Sequence, residues 1–302
     1  MSLNNGVLNV NGGQKQTVAI AAADDVLVIK AVKAALESGV ANFLLIGEED
    51  ELTRLVYETG IHKFLHSGIT IVHAVDKESA VQQAIRAVNE HEADVLMKGN
   101  VPTAVLLKGV LHKEHGLRSK KVLSHVALFE IPGFEKLIFI SDAAMNITPT
   151  IEQKKYIIEN TVKAATALGV EYPKVALLAA VETVNPAMPA CTDAAILTQM
   201  NRRGQITGCE VDGPLALDNA ISLAAAKQKG ISGTVAGQAD ILIVPDIQSG
   251  NILYKSLVYF AKASVASIIM GATAPIVLTS RSDSSESKLN SLVFALKVAK
   301  TH

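Results

Sequence analysis

The sequence predicts an α/β protein of two domains, and three observations carry that expectation. Short apolar runs rich in Val, Ile, Leu and Ala recur along the chain, the composition of strands buried on both faces; hydrophobic residues make up 49% against 19% charged, with no Trp. Between these runs lie segments whose apolar residues recur at helical spacing, the alternation that builds parallel sheets through crossover connections. The length of 302 residues exceeds what a single core usually serves, so two domains are expected over one.

Taken in order, Val18 to Ala22 reads as the first strand, Asp24 to Ser38 as a helix and Phe43 to Ile46 as a strand closed by Gly47. A helix from Glu49 to Glu58 and a strand from Ile69 to His73 come next. Glu78 to His91 places Val81, Ile85 and Val88 on one helical stripe. Val95 to Met97 is a strand that stops at Lys98-Gly99-Asn100, and Pro102 suits the first turn of a helix reaching Lys113. Val122 to Phe129 and Leu137 to Ile140, joined through Pro132-Gly133, fit an antiparallel pair.

Thr148 as N-cap and Pro149 at the first helical position open a helix to Leu168. A strand from Val175 to Ala180 leads into a loop with Glu182, Asn185, Pro186 and Pro189. Helices from Asp193 and from Pro214 flank Ile206 to Val211. The last third holds a strand at 241–244, a helix at 250–262, an apolar run Val265 to Met270, a strand Ile276 to Leu278 and a helix from Asp283 to Ala299. The domain boundary is expected near residues 142 to 150.

Charge excludes several functions. The net charge is −1 with mixed signs throughout, so there is no basic footprint for nucleic acid or a membrane surface. Cys191 and Cys209 lack the spacing of a zinc motif or a disulfide framework, which points to a reducing cytoplasm. No apolar run is long enough for a membrane span, and Met1 to Gly6 lacks the features of a signal peptide. His112 and His115 do not have the zincin spacing, and no GxSxG loop suggests a covalent nucleophile.

The candidate chemistry sits at strand ends. In open α/β sheets ligands bind beyond the carboxyl ends of strands, and five such ends carry small or ionisable residues: Lys98-Gly99-Asn100, Asp142 with Asn146, Glu182 with Asn185, Asp246 to Asn251, and Ser280 to Asp283. Lys98 is either a phosphate partner or a solvated strand cap, and Gly99-Asn100 would let backbone N–H groups approach a ligand. Asp246, Gln248, Ser249, Gly250 and Asn251 form a polar loop that delivers N–H groups to a helix N-terminus, where the dipole favours an anion. Arg281, after a buried strand, suits bidentate phosphate binding. Asp283 and Glu286 have capping-box spacing, so each is a catalytic candidate or a helix cap.

The run Ser232-x-x-Val235-Ala236-Gly237-x-Ala239-Asp240-Ile-Leu-Ile-Val-Pro245-Asp246-x-x-x-Gly250-Asn251-x-x-Tyr254-Lys255 resembles the signature of the phosphate acetyl/butyryltransferase family. The likeness extends to Gly213 to Asp218, Lys98 to Thr103, Ser141-Asp142 and Ser280-Arg281, and Met-Lys-Gly-Asn with Leu123 to Val126 resembles the butyryl branch. The resemblance implies a three-layer αβα architecture like that of isocitrate and isopropylmalate dehydrogenases. It puts residues 1–143 and 280–302 in a first domain, 144–279 in an inserted second one, and the active site in the cleft between them.

It further implies reversible transfer of a short acyl group, butyryl, between coenzyme A and inorganic phosphate. Coenzyme A is then a co-substrate, with no permanently bound cofactor and no metal; separately, the burial that so apolar a chain requires leads to the expectation of a homodimer or a larger homo-oligomer. The catalytic set is Ser280 on the carbonyl oxygen or phosphate, Arg281 on the phosphate, and Glu286 or Asp283 as base. Lys98, Gly99, Asn100, Asp142, Asp246, Gln248, Ser249, Gly250, Asn251 and Lys255 form the substrate-binding set. Where the acetyl branch carries an acidic pair, this chain has Glu286 then Ser287, which leaves the base open between the two carboxylates. Phosphate acetyltransferase and, on the same fold, an NAD-dependent hydroxyacid dehydrogenase are the alternative readings.

Overall fold

The computed structural model describes Leu3 and residues 15–119, 121–279 and 283–301. The chain forms two compact units, one of Leu8–Lys121 and Ala266–His302, the other of Met1–Val7 and Val122–Val265.

In the unit that contains both 15–121 and the C-terminal segment, the strands are β1 (Gln16–Ala21), β2 (Ala41–Gly47), β3 (Ile69–His73), β4 (Val95–Lys98), β10 (Ser264–Met270, all but its first two residues) and β11 (Ile276–Val277). Their order is β3-β2-β1-β4-β11-β10. All neighbours are parallel except β10 with β11. The register sets Ala21 beside Lys98 and Met97 beside Val277, so the carboxyl ends of β1, β4 and β11 share one edge. Helices α1 (Val26–Glu37) and α2 (Glu49–Glu58) pack together, and α10 (Ser285–Ala299) packs on α1, β4 and β11. The α3 helix (Lys77–Asn89) lies against β1, β2 and β4 and carries α4 (Thr103–Val110). The α3 stripe Val81, Ile85, Val88 is buried, as its spacing requires.

The other unit has β5 (Ser124–Glu130), β6 (Ile138–Ser141), β7 (Lys174–Leu178), β8 (Glu210–Leu215) and β9 (Ile241–Ile243), in the order β5-β6-β9-β7-β8. The β5–β6 pair is antiparallel and the rest are parallel. Helices α5 (Ile151–Ala167) and α6 (Pro189–Arg202) pack together, as do the short α7 (Leu217–Ile221) and α8 (Leu223–Gln228), while α9 (Ile247–Tyr259) rests on β6. A core of Phe129, Ile138, Ile140, Leu178, Leu242 and Val244 joins the strands to Leu253, Tyr254 and Leu257 of α9.

Several boundaries differ from the sequence expectation, each for a local reason. Thr150, not Thr148, caps α5: its hydroxyl accepts from Gln153 N and the Gln153 side chain accepts from Thr150 N, a complete capping box that outweighs Pro149 at the first position. Pro189 starts α6 and is not part of the preceding loop, because a proline fits the first turn, which needs no N–H donor. Pro214 lies inside β8 at the edge of its unit, where a missing donor costs no ladder bond, and opens no helix.

The units divide at 121/122 and 265/266, whereas the sequence expectation put the divisions at 143/144 and 279/280. The β5–β6 hairpin pairs with β9, and β10 and β11 pair with β4, so each goes with its strand partners. Among the described residues no helix is long and apolar enough to cross a membrane.

Candidate functional site

In the first unit the loops after β1 and β4 meet residue by residue. Gly99 N donates to Ala21 O at 2.9 Å and Asn100 N to Ala22 O at 2.6 Å. Gly99 is there for packing: a Cβ would stand 1.9 Å from Ala22 O and 2.6 Å from Ala22 C. Ala22 holds a left-handed φ of 55°, rare for a residue with a side chain. The expectation that Gly99 and Asn100 offer N–H groups to a ligand is therefore corrected, since both donors are engaged by the end of β1.

The Asn100 amide donates to Asp24 Oδ2 at 3.0 Å, tying this loop to the entrance of α1, where Asp25 accepts from Leu27 N at 2.8 Å and Val28 N at 3.0 Å. Lys98, only 6% exposed, donates from Nζ to Gly99 O at 3.0 Å and Val101 O at 3.3 Å. Its charge is thus held at the strand edge by the carbonyls of its own loop, and it is not a solvated cap.

The third contribution to this edge comes after β11. Ser280 and Arg281, on which the sequence places the carbonyl and phosphate contacts, lie outside the described residues. Asp283 is half-buried and Glu286 is exposed in the first turn of α10. Neither closes the helix by the expected box. Ser284 is the N-cap and accepts from Ser287 N at 3.1 Å, so Asp283 lies one residue before the cap and Glu286 at the second helical position. Lys288, 3% exposed, donates from Nζ to Asp283 O at 3.1 Å. Burial holds its ammonium below the usual lysine range, opposed by the carboxylates of Asp283 and Asp25.

In the second unit the ends of β6 and β9 converge. The carboxylate of Asp142 is 3% exposed and accepts four internal bonds: Ala144 N and Met145 N at 2.9 Å, Asn146 N at 3.2 Å and the Asn146 amide at 2.6 Å. Asn146 also donates to Leu123 O at 2.8 Å. Asp142 is thus the anchor of its turn. The 246–251 stretch is the cap and first turn of α9, not a loop before a helix at 250. Asp246 Oδ1 accepts from Ser249 N at 2.8 Å and from Ser249 Oγ at 2.9 Å, and Ile247 N donates to Ile147 O at 3.1 Å. A carboxylate already occupies the position that the sequence left for an anion.

Gly250 permits the contact between the two loops, because a Cβ there would lie 2.6 Å from Asp142 O and 3.0 Å from Ala143 Cα. The Asn251 amide reaches Ala143 O at 3.3 Å, and Gln248, Asn251 and Lys255 are exposed. At the ends of β7 and β8, Glu182 accepts from the Asn219 amide at 3.1 Å and from Lys229 at 3.4 Å.

The structure thus brings together Lys98, Gly99 and Asn100 with Asp24 in one unit, and Asp142 with Asp246 to Asn251 in the other. Sequence reading missed Asp24, Asp25 and Lys288. The two aspartates had a signal, an acidic pair at a helix start, while Lys288 had none, since a lysine in a first helical turn normally reads as surface.

The sequence model of the family described as "Phosphate acetyl/butaryl transferase" matches residues 57–296. The chain is 57% identical over 283 residues to the probable phosphate butyryltransferase of Bacillus subtilis, covering 94% of this chain and 93% of the relative. It is 47% identical over 283 residues to the phosphate acetyltransferase of Thermotoga maritima, covering 94% and 95%. The crystal structure of a branched-chain phosphotransacylase from Enterococcus faecalis superposes with a TM-score of 0.82 at 39% identity, over 95% of this chain and 100% of that one.

Proposed function

The chain belongs to the phosphate acetyl/butyryl transferase family, and from that premise we propose that it moves a butyryl group reversibly between coenzyme A and inorganic phosphate. The observation that carries this reading is the 57% identity to a probable phosphate butyryltransferase over 94% of the chain. The physical demands of the reaction assign roles to the residues at the strand edges.

In the direction from acyl phosphate, the thiol sulfur of coenzyme A attacks the carbonyl carbon while the C–O bond to phosphate breaks and phosphate leaves with the bonding electrons. A free thiol has a pKa near ~8.5, so attack at neutral pH requires a carboxylate to take its proton; Asp283 and Glu286 are the candidates. Negative charge grows first on the carbonyl oxygen and then on the departing phosphate. Ser280 serves the first and Arg281, with its planar fork of donors, the second. Lys98 adds positive charge at the edge of its unit. Asp142, Asp246 and Gly250 shape the other edge through the contacts described above, and Gln248, Ser249, Asn251 and Lys255 offer side chains along it. Coenzyme A acts as co-substrate, and the enzyme works in the cytoplasm as a homo-oligomer.

The Thermotoga maritima relative supports acetyl transfer as the second reading. Butyryl exceeds acetyl by two methylenes, which at ~0.8 kcal/mol each give ~1.6 kcal/mol, little more than tenfold in preference, so overlapping specificity is expected. Free thiol released from butyryl-CoA, followed spectrophotometrically with and without phosphate and repeated with acetyl-CoA, tests both. Phosphate-dependent release that is faster with butyryl-CoA is the expected result. Release independent of phosphate would overturn acyl transfer to phosphate, and a strong acetyl preference would select the second reading.

A further inference from the structure

Lys288 is a buried cation that the reaction as described does not use. Its position opposes it twice. It is 3% exposed, and it sits in the first turn of α10, where the helix dipole disfavours positive charge. An apolar side chain of similar length would fill the same volume without either cost.

What the ammonium holds is specific. It donates to the backbone carbonyl of Asp283 at 3.1 Å, and the carboxylates that attract it are those of Asp283 and Asp25. Asp25 is itself fixed as the N-cap of α1, the helix against which α10 packs. The backbone of Asp283 is thus tied through Lys288 to the frame of the unit, while Glu286 lies on the exposed face of the first turn. Ser284 takes the capping role, so helix closure does not account for Asp283.

We infer that Lys288 is a positioning residue for acyl transfer, holding Asp283 as the carboxylate that accepts the thiol proton. This rests on the acyltransferase reading above. The bond from the ammonium to the Asp283 carbonyl fixes the main chain from which the carboxylate extends. Lys288 acts through the backbone of Asp283, to whose carbonyl it donates.

The test is a kinetic cycle on the full chain with Lys288→Met, Asp283→Asn and the double variant, assayed for acyl transfer between butyryl-CoA and phosphate. Lys288→Met is expected to lower kcat by about tenfold or more, as impairing a general base does. KM for both substrates should stay within about threefold, because binding contacts are untouched. In the Asp283→Asn background the same substitution should cost nothing further. Circular dichroism and a thermal melt confirm folding, and if Lys288→Met does not fold, Lys288→Gln, which keeps a donor but not the charge, takes its place in the cycle. An unchanged kcat in a folded variant, additive losses, or loss of activity in Glu286→Gln with full activity in Asp283→Asn would each overturn the assignment. Thiol release that does not depend on phosphate in the unsubstituted enzyme would instead overturn the acyltransferase reading, and this inference with it.

Discussion

Gly99→Ala is the substitution whose consequence the geometry fixes most tightly. The added methyl would stand 1.9 Å from Ala22 O, 2.6 Å from Ala22 C and 2.8 Å from Ala21 O, all of them backbone atoms that cannot swing aside as a side chain can. Ordinary carbon contacts begin near ~3.5 Å, so the two loops must part by roughly 1.5 Å. A separation of that size breaks the bonds from Gly99 N at 2.9 Å and Asn100 N at 2.6 Å, leaving buried donors and acceptors without partners. At about 1–3 kcal/mol for each bond, the variant should lose roughly 2–6 kcal/mol of folding stability. Urea unfolding followed by circular dichroism measures the loss, and acyl transfer to phosphate should fall along with it because Lys98 is carried on the same loop. A loss below about 1 kcal/mol would refute the claim that this glycine exists for the approach of β4's end to β1's. A stable variant with impaired substrate binding would restore the reading in which Gly99 makes room for a ligand.

Two further outcomes concern other buried groups. Lys154 on α5 and Asp193 on α6 form an ion pair at 2.7 Å with Lys154 only 6% exposed, so Lys154→Met should cost about 1–3 kcal/mol in urea unfolding by leaving the part-buried Asp193 carboxylate unpaired. Adding Asp193→Leu should recover most of that, and a loss that the second substitution does not reduce would mean the pair is not the cause. Burial, with Glu159 as the lesser cause, pushes the Cys209 thiol up to about 11. Its folded value lies above the unfolded one, so the stabilisation it brings is complete below the unfolded thiol range of about 8.5 and is lost as pH rises through 11. Aromatic-disulfide labelling at pH 8 should therefore leave Cys209 untouched in the native chain and modify it quickly in urea, while rapid native labelling would show the thiol to be accessible.

Strands were legible because a residue buried on both faces admits few side chains, and β1, β2, β3, β4 and β9 fall where apolar runs put them. Helix starts were less so where two residues capable of capping stand close together. Thr148 competes with Thr150, and Asp283 with Ser284, and in each case the bond that closes the helix comes from the later residue. The division into units was beyond local reading. The β5–β6 hairpin could belong either with β1 to β4 or with β7 to β9, and the deciding fact is the pairing of Phe139 with Ile241, about a hundred residues away in the chain.

For the candidate site, a glycine or small polar residue after a strand announces that something approaches the backbone closely, but not what. At Gly99 it is the end of β1, and at Gly250 it is the turn at Asp142. The same holds for donors. The N–H groups of Gly99, Asn100, Ile247 and Ser249 are all taken by partners within their own units. These backbone donors are thus engaged within the protein, and the proposed chemistry falls to side chains, with Asp283 and Glu286 as its candidate bases. A carboxylate in that stretch can act as a base only if its main chain is held in place. Asp283 has such a hold in the carbonyl that the buried Lys288 grips, and its half-buried position, against the exposed one of Glu286, makes it the proposed acceptor of the thiol proton.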